Sequence, residues 1–397
     1  MQRARLIAFY LPQFHPIEEN SLWWGPGFTE WTNVAKARPL FPSHFQPRLP
    51  RDLGFYDLRV SEVRQAQADL ARSAGIEGFC YWHYWFAGRR LLERPFDEVL
   101  ESKEPDFPFC LAWANSSWKG TWYGASRNRL LIEQTYPGSE DHEKHFYALL
   151  PAFHDQRYIR VHRKPLFAIF QPSELPSNRE FIKLWQSLAL KNGLPGIHFV
   201  AHLNREDDYP WQAAGYDAGL IVDSLKVARQ KTSKVACERL KEIRLVSLLS
   251  LHRSELIKVK NLAALVLHRF LWRVFRWPEF IYYYDDAIKH FSPKRQPLVQ
   301  NVYPSVIPNW DNSARSGKNG VVLHNSSPAL FSRHLCEVLE AVSHRPQEER
   351  IVFVKSWNEW AEGNYLEPDQ RYGHGYLDAI RTAMASPLGA KRPYTSE

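Results

Sequence analysis

Short apolar runs alternate along this chain with longer stretches of helical periodicity, and that rhythm limits the folds open to it more than any other feature. Candidate strands fall at 5–11, 78–83, 108–113, 165–170, 197–202, 219–222, 297–302 and 351–357. Helical patterns between them include 58–73, 142–153, 179–190, 328–343 and 375–384. Strand then helix, repeated, is the signature of parallel βαβ units. Eight such units close a (β/α)8 TIM barrel. The rival fold, an open doubly wound sheet, would be marked by a GxGxxG turn after its first strand, and Pro12-Gln-Phe-His stands there instead. With 44% hydrophobic residues over 397 positions, the chain can fill a large core and is not disordered. It exceeds a barrel of about 250 residues. The surplus falls in the loop after strand one and in a stretch before strand seven. We therefore expect one α/β domain over 1–390, a (β/α)8 TIM barrel with a helical basic insertion at 225–294.

In such a barrel the C-terminal strand ends share one mouth, where active sites are built. Those ends are rich in aromatic and polar residues. Strand one runs into Tyr10, then Trp23, Trp24, Glu30 and Trp31. Strand two ends in Trp82 and His83, strand three leads to Trp113 and Asn115, and strand five ends at His202. Trp310, Asp311 and Arg315 follow strand seven; Trp357, Asn358, Glu359, Trp360 and Glu362 follow strand eight. Rings that stack on a pyranose face, beside groups that bond its hydroxyls, suit a sugar-binding cleft. Core packing is the competing reading for any single Trp. Asp311 and Arg315 either clamp a sugar or hold each other.

Glycosidic cleavage needs an acid for the leaving oxygen and a second group acting at the anomeric carbon. Glu359 and Glu362 are the candidate pair, because three positions on a helical turn bring Cβ atoms within about 5–6 Å. Burial among tryptophans and a neighbouring carboxylate would both raise the pKa of one of them, as a general acid at neutral pH requires. Glu30 is more suited to binding a hydroxyl than to reacting. The chain has no His-Glu-x-x-His, no GxSxG elbow, no DxD and no Gly-rich phosphate loop, so we expect no metal, no cofactor and no hydrolase triad.

The net charge of +8 belongs to one segment: residues 226–277 hold thirteen Lys or Arg against three Asp or Glu. A basic amphipathic helix with Trp272, Phe275 and Trp277 can lie on an anionic bilayer; a solvated helical hairpin is the alternative. Nucleic acid is not expected, since no zinc-finger, RRM or helix-turn-helix signature accompanies the charge. Cys80, Cys110, Cys237 and Cys336 are widely spaced, which suits reduced thiols. The apolar stretch ending at Pro12 is too short for a signal sequence. The expectation is a cytoplasmic protein, peripheral to the inner membrane if the basic segment binds lipid.

Phe9-Tyr-Leu-Pro-Gln-Phe-His15, Trp24-Gly-Pro-Gly-Phe-Thr-Glu-Trp-Thr-Asn-Val34, Gly78-Phe-Cys-Tyr-Trp-His-Tyr-Trp85, Trp310-Asp-Asn312 and Ser356-Trp-Asn-Glu-Trp-Ala-Glu-Gly363 together resemble the WbsX-like family of bacterial surface-polysaccharide (O-antigen) proteins. The resemblance covers about residues 4 to 385. That family is similar in turn to glycoside hydrolase family 99, the endo-α-mannosidases, chiefly through the strand-eight segment and Glu367-Pro368. The resemblance implies a metal-free retaining reaction on α-mannose-like sugars. Glu359 would deprotonate the sugar's own 2-hydroxyl, which attacks the anomeric carbon to give a 1,2-anhydro sugar, and Glu362 would be the acid and then the base. Tyr10, Glu30, His83, Trp310 and Asp311 would contact the sugar, and Trp113, Asn115, His202, Asn358 and Trp360 complete the expected wall. Three functions follow as expectations: a family 99-type glycan-processing enzyme, a glycosyltransferase using a nucleotide- or lipid-linked donor, and a non-catalytic glycan-binding barrel.

Overall fold

The structure, a computed structural model, describes residues 3–120, 129–203, 209–222, 278, 280–293 and 298–386. Eight parallel strands form the barrel: β1 (Arg5–Tyr10), β2 (Gly78–Phe86), β3 (Phe109–Trp113), β4 (Lys164–Ile169), β5 (His198–Leu203), β6 (Ala218–Ile221), β7 (Val302–Val306) and β8 (Ile351–Val354). Each pairs with the next, and β1 pairs with both β2 and β8, so the sheet closes on itself. The (β/α)8 TIM barrel read from the sequence is therefore the observed fold.

Flanking helices include α1 (Glu18–Trp24), α2 (Glu30–Lys36), α3 (Ser61–Ala74), α4 (Arg94–Ser102), α5 (Ser139–His154), α6 (Asn178–Lys191), α7 (Tyr284–Phe291), α8 (Pro328–Val342) and α9 (Gly375–Ala385). Their sequences explain them. In α8 the Ser327 hydroxyl accepts from the Leu330 N–H and Pro328 fills the first turn, both favoured at a helix start. Its Phe331, Leu335, Val338, Leu339 and Val342 form one buried stripe, the face expected of a helix on a core. In α3 the small Ala68, Ala71 and Ala74 are fully buried against the barrel, and Gly75, at φ +92°, ends the helix in the left-handed region.

Strand seven is a correction. The sequence reading stopped it at 302, whereas β7 begins there. Pro304 lies inside β7, between paired neighbours, and proline is discounted in a central strand because it lacks an N–H. Residues 226–277, which carry the basic insertion, lie outside the described residues. The described end of the 225–294 stretch is not wholly helical. Phe280–Tyr283 forms a strand parallel to Val321–His324, and with α7 it packs Tyr282, Tyr284 and Phe291 against Ile307 and Trp310. Among the described residues no helix is long and apolar enough to cross a membrane.

Candidate active site

Beyond β8 the chain folds into a short antiparallel ribbon, Asn358–Glu359 against Asn364–Tyr365, closed by the single 3-10 turn Trp360–Glu362. Residues three apart eclipse in a 3-10 turn, so Glu359 and Glu362 face the same side. The turn depends on Gly363, at φ +53°, where an added Cβ would lie 2.9 Å from the Asp311 Cβ. Both carboxyls line a cavity of about 610 Å³ at the mouth, with Trp24, Trp82, Tyr84, Trp118, Phe170 and Trp310 among its walls.

The two carboxyls sit in different electrostatic surroundings. Glu359 Oε1 accepts from Trp82 Nε1 at 3.2 Å and from Ser356 Oγ at 3.1 Å. Burial, then the charge of Glu362 and a hydrogen bond with it, push the Glu359 pKa up to about 8. Glu362 Oε1 accepts from Arg315 Nη1 at 2.5 Å. Burial alone would raise Glu362, but the Arg315 guanidinium and the bond from Glu359 hold it below the usual carboxylate range. The pair therefore shares one proton at neutral pH, carried by Glu359. This reverses the distribution that the resemblance implies for the start of the reaction, and its cause is Arg315. The same guanidinium reaches Glu30 Oε1 at 2.9 Å. Glu30, fully buried at the start of α2, is raised by burial even against Arg315.

Of the expected contacts, Glu359, Glu362 and Trp310 line the cavity, and Glu30 supports it from behind through Arg315. Asp311 does not pair with Arg315. Its Oδ2 lies 2.8 Å from His44 Nε2 and accepts from Gln46 Nε2 at 2.8 Å. Burial would raise it, but His44, Arg48 and Ser313 hold it well below the ordinary range. Its backbone N–H donates to the Glu362 carbonyl at 2.7 Å, so Asp311 braces the turn. His202 lies beneath the cavity floor, edge-on to Phe9, Trp82 and Phe170; burial, then the Lys355 charge, push its pKa down to about 3.

Six expected contacts face elsewhere. Tyr10 donates to Gln67 Oε1 of α3, His83 Nε2 lies 2.9 Å from His145 of α5, and Trp113 packs on Phe181 and His145. Asn115 ties Gln171 by its backbone, and Asn358 spans the backbone N–H and C=O of Leu11. Trp360 stacks on Tyr365 at 3.9 Å and donates to Glu367. For Tyr10, His83 and Trp113 the reason is strand parity: successive side chains alternate between faces, so Phe9 and Trp82 stack inside the barrel at 4.8 Å while Tyr10 and His83 turn to the helices. Parity could have selected Trp82 over His83. Nothing in the sequence singled out Asn20 or Lys355, which also line the cavity.

Comparison with known proteins agrees with this architecture. Residues 6–380 match the family described as Glycosyltransferase WbsX. WxcX of Xanthomonas campestris pv. campestris strain B100 is 37% identical over 386 residues, covering 96% of this chain and 50% of its own length; its counterpart in strain ATCC 33913 matches equally. The chain thus spans about half the length of these curated relatives. A solved glycoside hydrolase-like protein superposes with a TM-score of 0.58 at 12% identity, covering 97% of this chain and 94% of its own. The GH99 endo-alpha-mannosidase from Bacteroides thetaiotaomicron, in complex with Bis-Tris-propane, superposes with a TM-score of 0.53 at 13% identity, covering 96% and 95%. At those identities the likeness is one of fold. Family membership rests instead on the match across nearly the whole chain, and on that ground this protein belongs to the WbsX glycosyltransferase family.

Proposed function

We propose that the protein is a glycan-processing enzyme of bacterial surface-polysaccharide assembly, acting on α-linked, mannose-like sugars with retention and without a metal. The observation that carries this reading is the Glu359–Glu362 pair, both carboxyls lining one aromatic-walled cavity, with Arg315 on Glu362 alone. In the first half-reaction the sugar's 2-hydroxyl gives its proton to Glu359 as its oxygen bonds the anomeric carbon. The glycosidic bond breaks, and Glu362 passes its proton to the leaving oxygen. In the second half Glu362 takes a proton from the incoming hydroxyl, the 1,2-anhydro ring opens, and Glu359 returns its proton to O2. The pair keeps one proton throughout, so its total charge never changes. Only the starting position differs from the free site. The hydrogen bond between the carboxyls lets the proton move from Glu359 to Glu362 when substrate arrives.

Hydrolysis and transfer differ in this scheme only in the second half, where the incoming hydroxyl belongs to water or to another sugar. The WbsX family name favours transfer from a nucleotide- or lipid-linked donor. We place the substrate among oligo- or polysaccharides, lipid-linked if residues 226–277 hold the protein at the cytoplasmic face of the inner membrane. The decisive experiment incubates the protein with lipid-linked glycan of its source organism and reads the product's anomeric configuration by NMR. Release with retention supports hydrolysis; elongation with retention supports transfer. Glu362→Gln should lower turnover by at least about 100-fold, the range of general acid catalysis, while circular dichroism stays unchanged. Full activity of that variant would remove the proposed acid.

A further inference from the structure

Four polar groups on one side of the cavity take no part in the scheme above. Gln13 follows β1, Asn20 lies on α1, Trp310 follows β7 and Lys355 follows β8. β7, β8 and β1 are adjacent in the barrel, so these residues share one arc of the mouth, and all four line the cavity. Gln13 is 5% exposed, Asn20 0% and Trp310 5%. Gln13 Nε2, both side-chain polar atoms of Asn20 and Trp310 Nε1 have no hydrogen-bond partner among the described residues. The Lys355 ammonium lies over the Trp310 ring at 4.7 Å. An unmade hydrogen bond on a buried polar atom carries the full cost of taking that atom out of water, and folded proteins leave few such atoms without a reason. Four of them, on three residues of one wall of an active-site cavity, point to a ligand.

The balance of donors and acceptors says which kind. Gln13 Nε2, Asn20 Nδ2, Trp310 Nε1 and Lys355 Nζ donate, and Asn20 Oδ1 accepts. A carboxylate or phosphate would place oxygens that only accept against Asn20 Oδ1, and would lie near the charged Glu362. A hydroxyl accepts two hydrogen bonds and donates one. Two adjacent hydroxyls therefore use all four donors, give one proton to Asn20 Oδ1, and leave one for a carboxylate such as Glu362. We propose that Gln13, Asn20, Trp310 and Lys355 form a subsite for two neighbouring hydroxyls of a neutral sugar ring. The inference rests on the glycan-processing reading and assigns it a recognition element.

The test uses binding, not turnover. The full-length Glu362→Gln protein is titrated calorimetrically with methyl α-mannoside and its 2-, 3-, 4- and 6-deoxy forms, alone and with Asn20→Ala, Gln13→Ala or Lys355→Met added. Two deoxy sugars with adjacent missing hydroxyls should bind about 10-fold or more weakly, the loss expected when a site's buried polar groups go unpaired. That penalty should shrink to near unity in the added variants, because the groups that read those hydroxyls are gone. Asn20→Ala should melt at the parent temperature or above, since a side chain without protein hydrogen bonds leaves none broken; a lower melting temperature with unchanged binding would mark a structural role and overturn the proposal. Deoxy penalties that persist in the added variants would also overturn it, leaving the glycan-processing reading intact. Binding of methyl α-glucuronide in preference to the mannoside would replace the neutral ring by an acidic one. If no mannoside binds, both the subsite and the mannose-like substrate fail together.

Discussion

At the scale of single residues, the site is governed by which carboxyl holds the proton. Glu359, raised to about 8, stays neutral across the physiological range and loses its proton as pH rises through that value. The pair then carries two charges and cannot supply an acid, so kcat/KM should fall above about pH 8. Stability should follow the same group. The folded protein keeps a proton that the unfolded chain, near 4.3 for a free Glu, has released. Stability from Glu359 is therefore complete below about pH 4.3 and is lost as pH rises toward 8. Melting temperatures between pH 5 and 9 should drop less in Glu359→Gln than in the parent; equal slopes would show that Glu359 does not carry the proton. Arg315 sets the opposite sign at Glu362. Replacing it by Met strands Glu30, which is wholly buried, and removes the partner of Glu362. Breaking a buried ion pair in this way costs about 3–5 kcal/mol, measurable as a shift in urea midpoint.

One element, the segment from Ser356 to Glu367, converts these residues into a geometry. Glu367 anchors its far end: buried, it accepts from Trp360 Nε1 at 2.5 Å, Gln67 Nε2 at 2.6 Å and Tyr56 OH at 2.9 Å. Burial pushes its pKa up to about 7 despite those bonds. Glu367→Gln turns one acceptor oxygen into a donor facing donors, which should cost about 1–3 kcal/mol, loosen Trp360 and lower kcat more than it changes KM. An unchanged kcat would show that the segment holds its shape without this anchor. The segment also shows what sequence can and cannot reveal. The aromatic-flanked glutamates were legible because acid chemistry needs their spacing, and seven of the strands were legible because buried parallel strands read as apolar runs. The Glu30–Arg315–Glu362 relay was not, since it joins residues from α2, the β7 loop and the β8 loop. Tyr10, His83 and Trp113 were misread for a different reason: residue type at a strand end gives no parity, and one position decides whether a ring faces the cavity or the helices.

Over the whole molecule, charge is divided unevenly: residues 226–277 hold a surplus of ten positive charges within a total of +8, so the rest of the chain is close to neutral. A near-neutral barrel has no general attraction to a bilayer, and any affinity for anionic lipid must come from that one segment. Each Lys or Arg near such a surface contributes about 1 kcal/mol, within a Debye length of roughly 10 Å at 0.1 M salt. Attraction of this kind weakens as salt shortens that length to about 3 Å at 1 M. The protein should float with phosphatidylglycerol vesicles in low salt, stay behind with phosphatidylcholine vesicles, and be released by 1 M salt. Reversing Arg269, Arg273 and Arg276 to Glu removes three positive charges and adds three negative ones, which should abolish flotation while leaving turnover of a water-soluble glycan unchanged. If the parent protein stays in solution with anionic vesicles at low salt, the charge of this segment serves a purpose other than membrane contact, and a lipid-linked substrate would have to reach the barrel mouth without it.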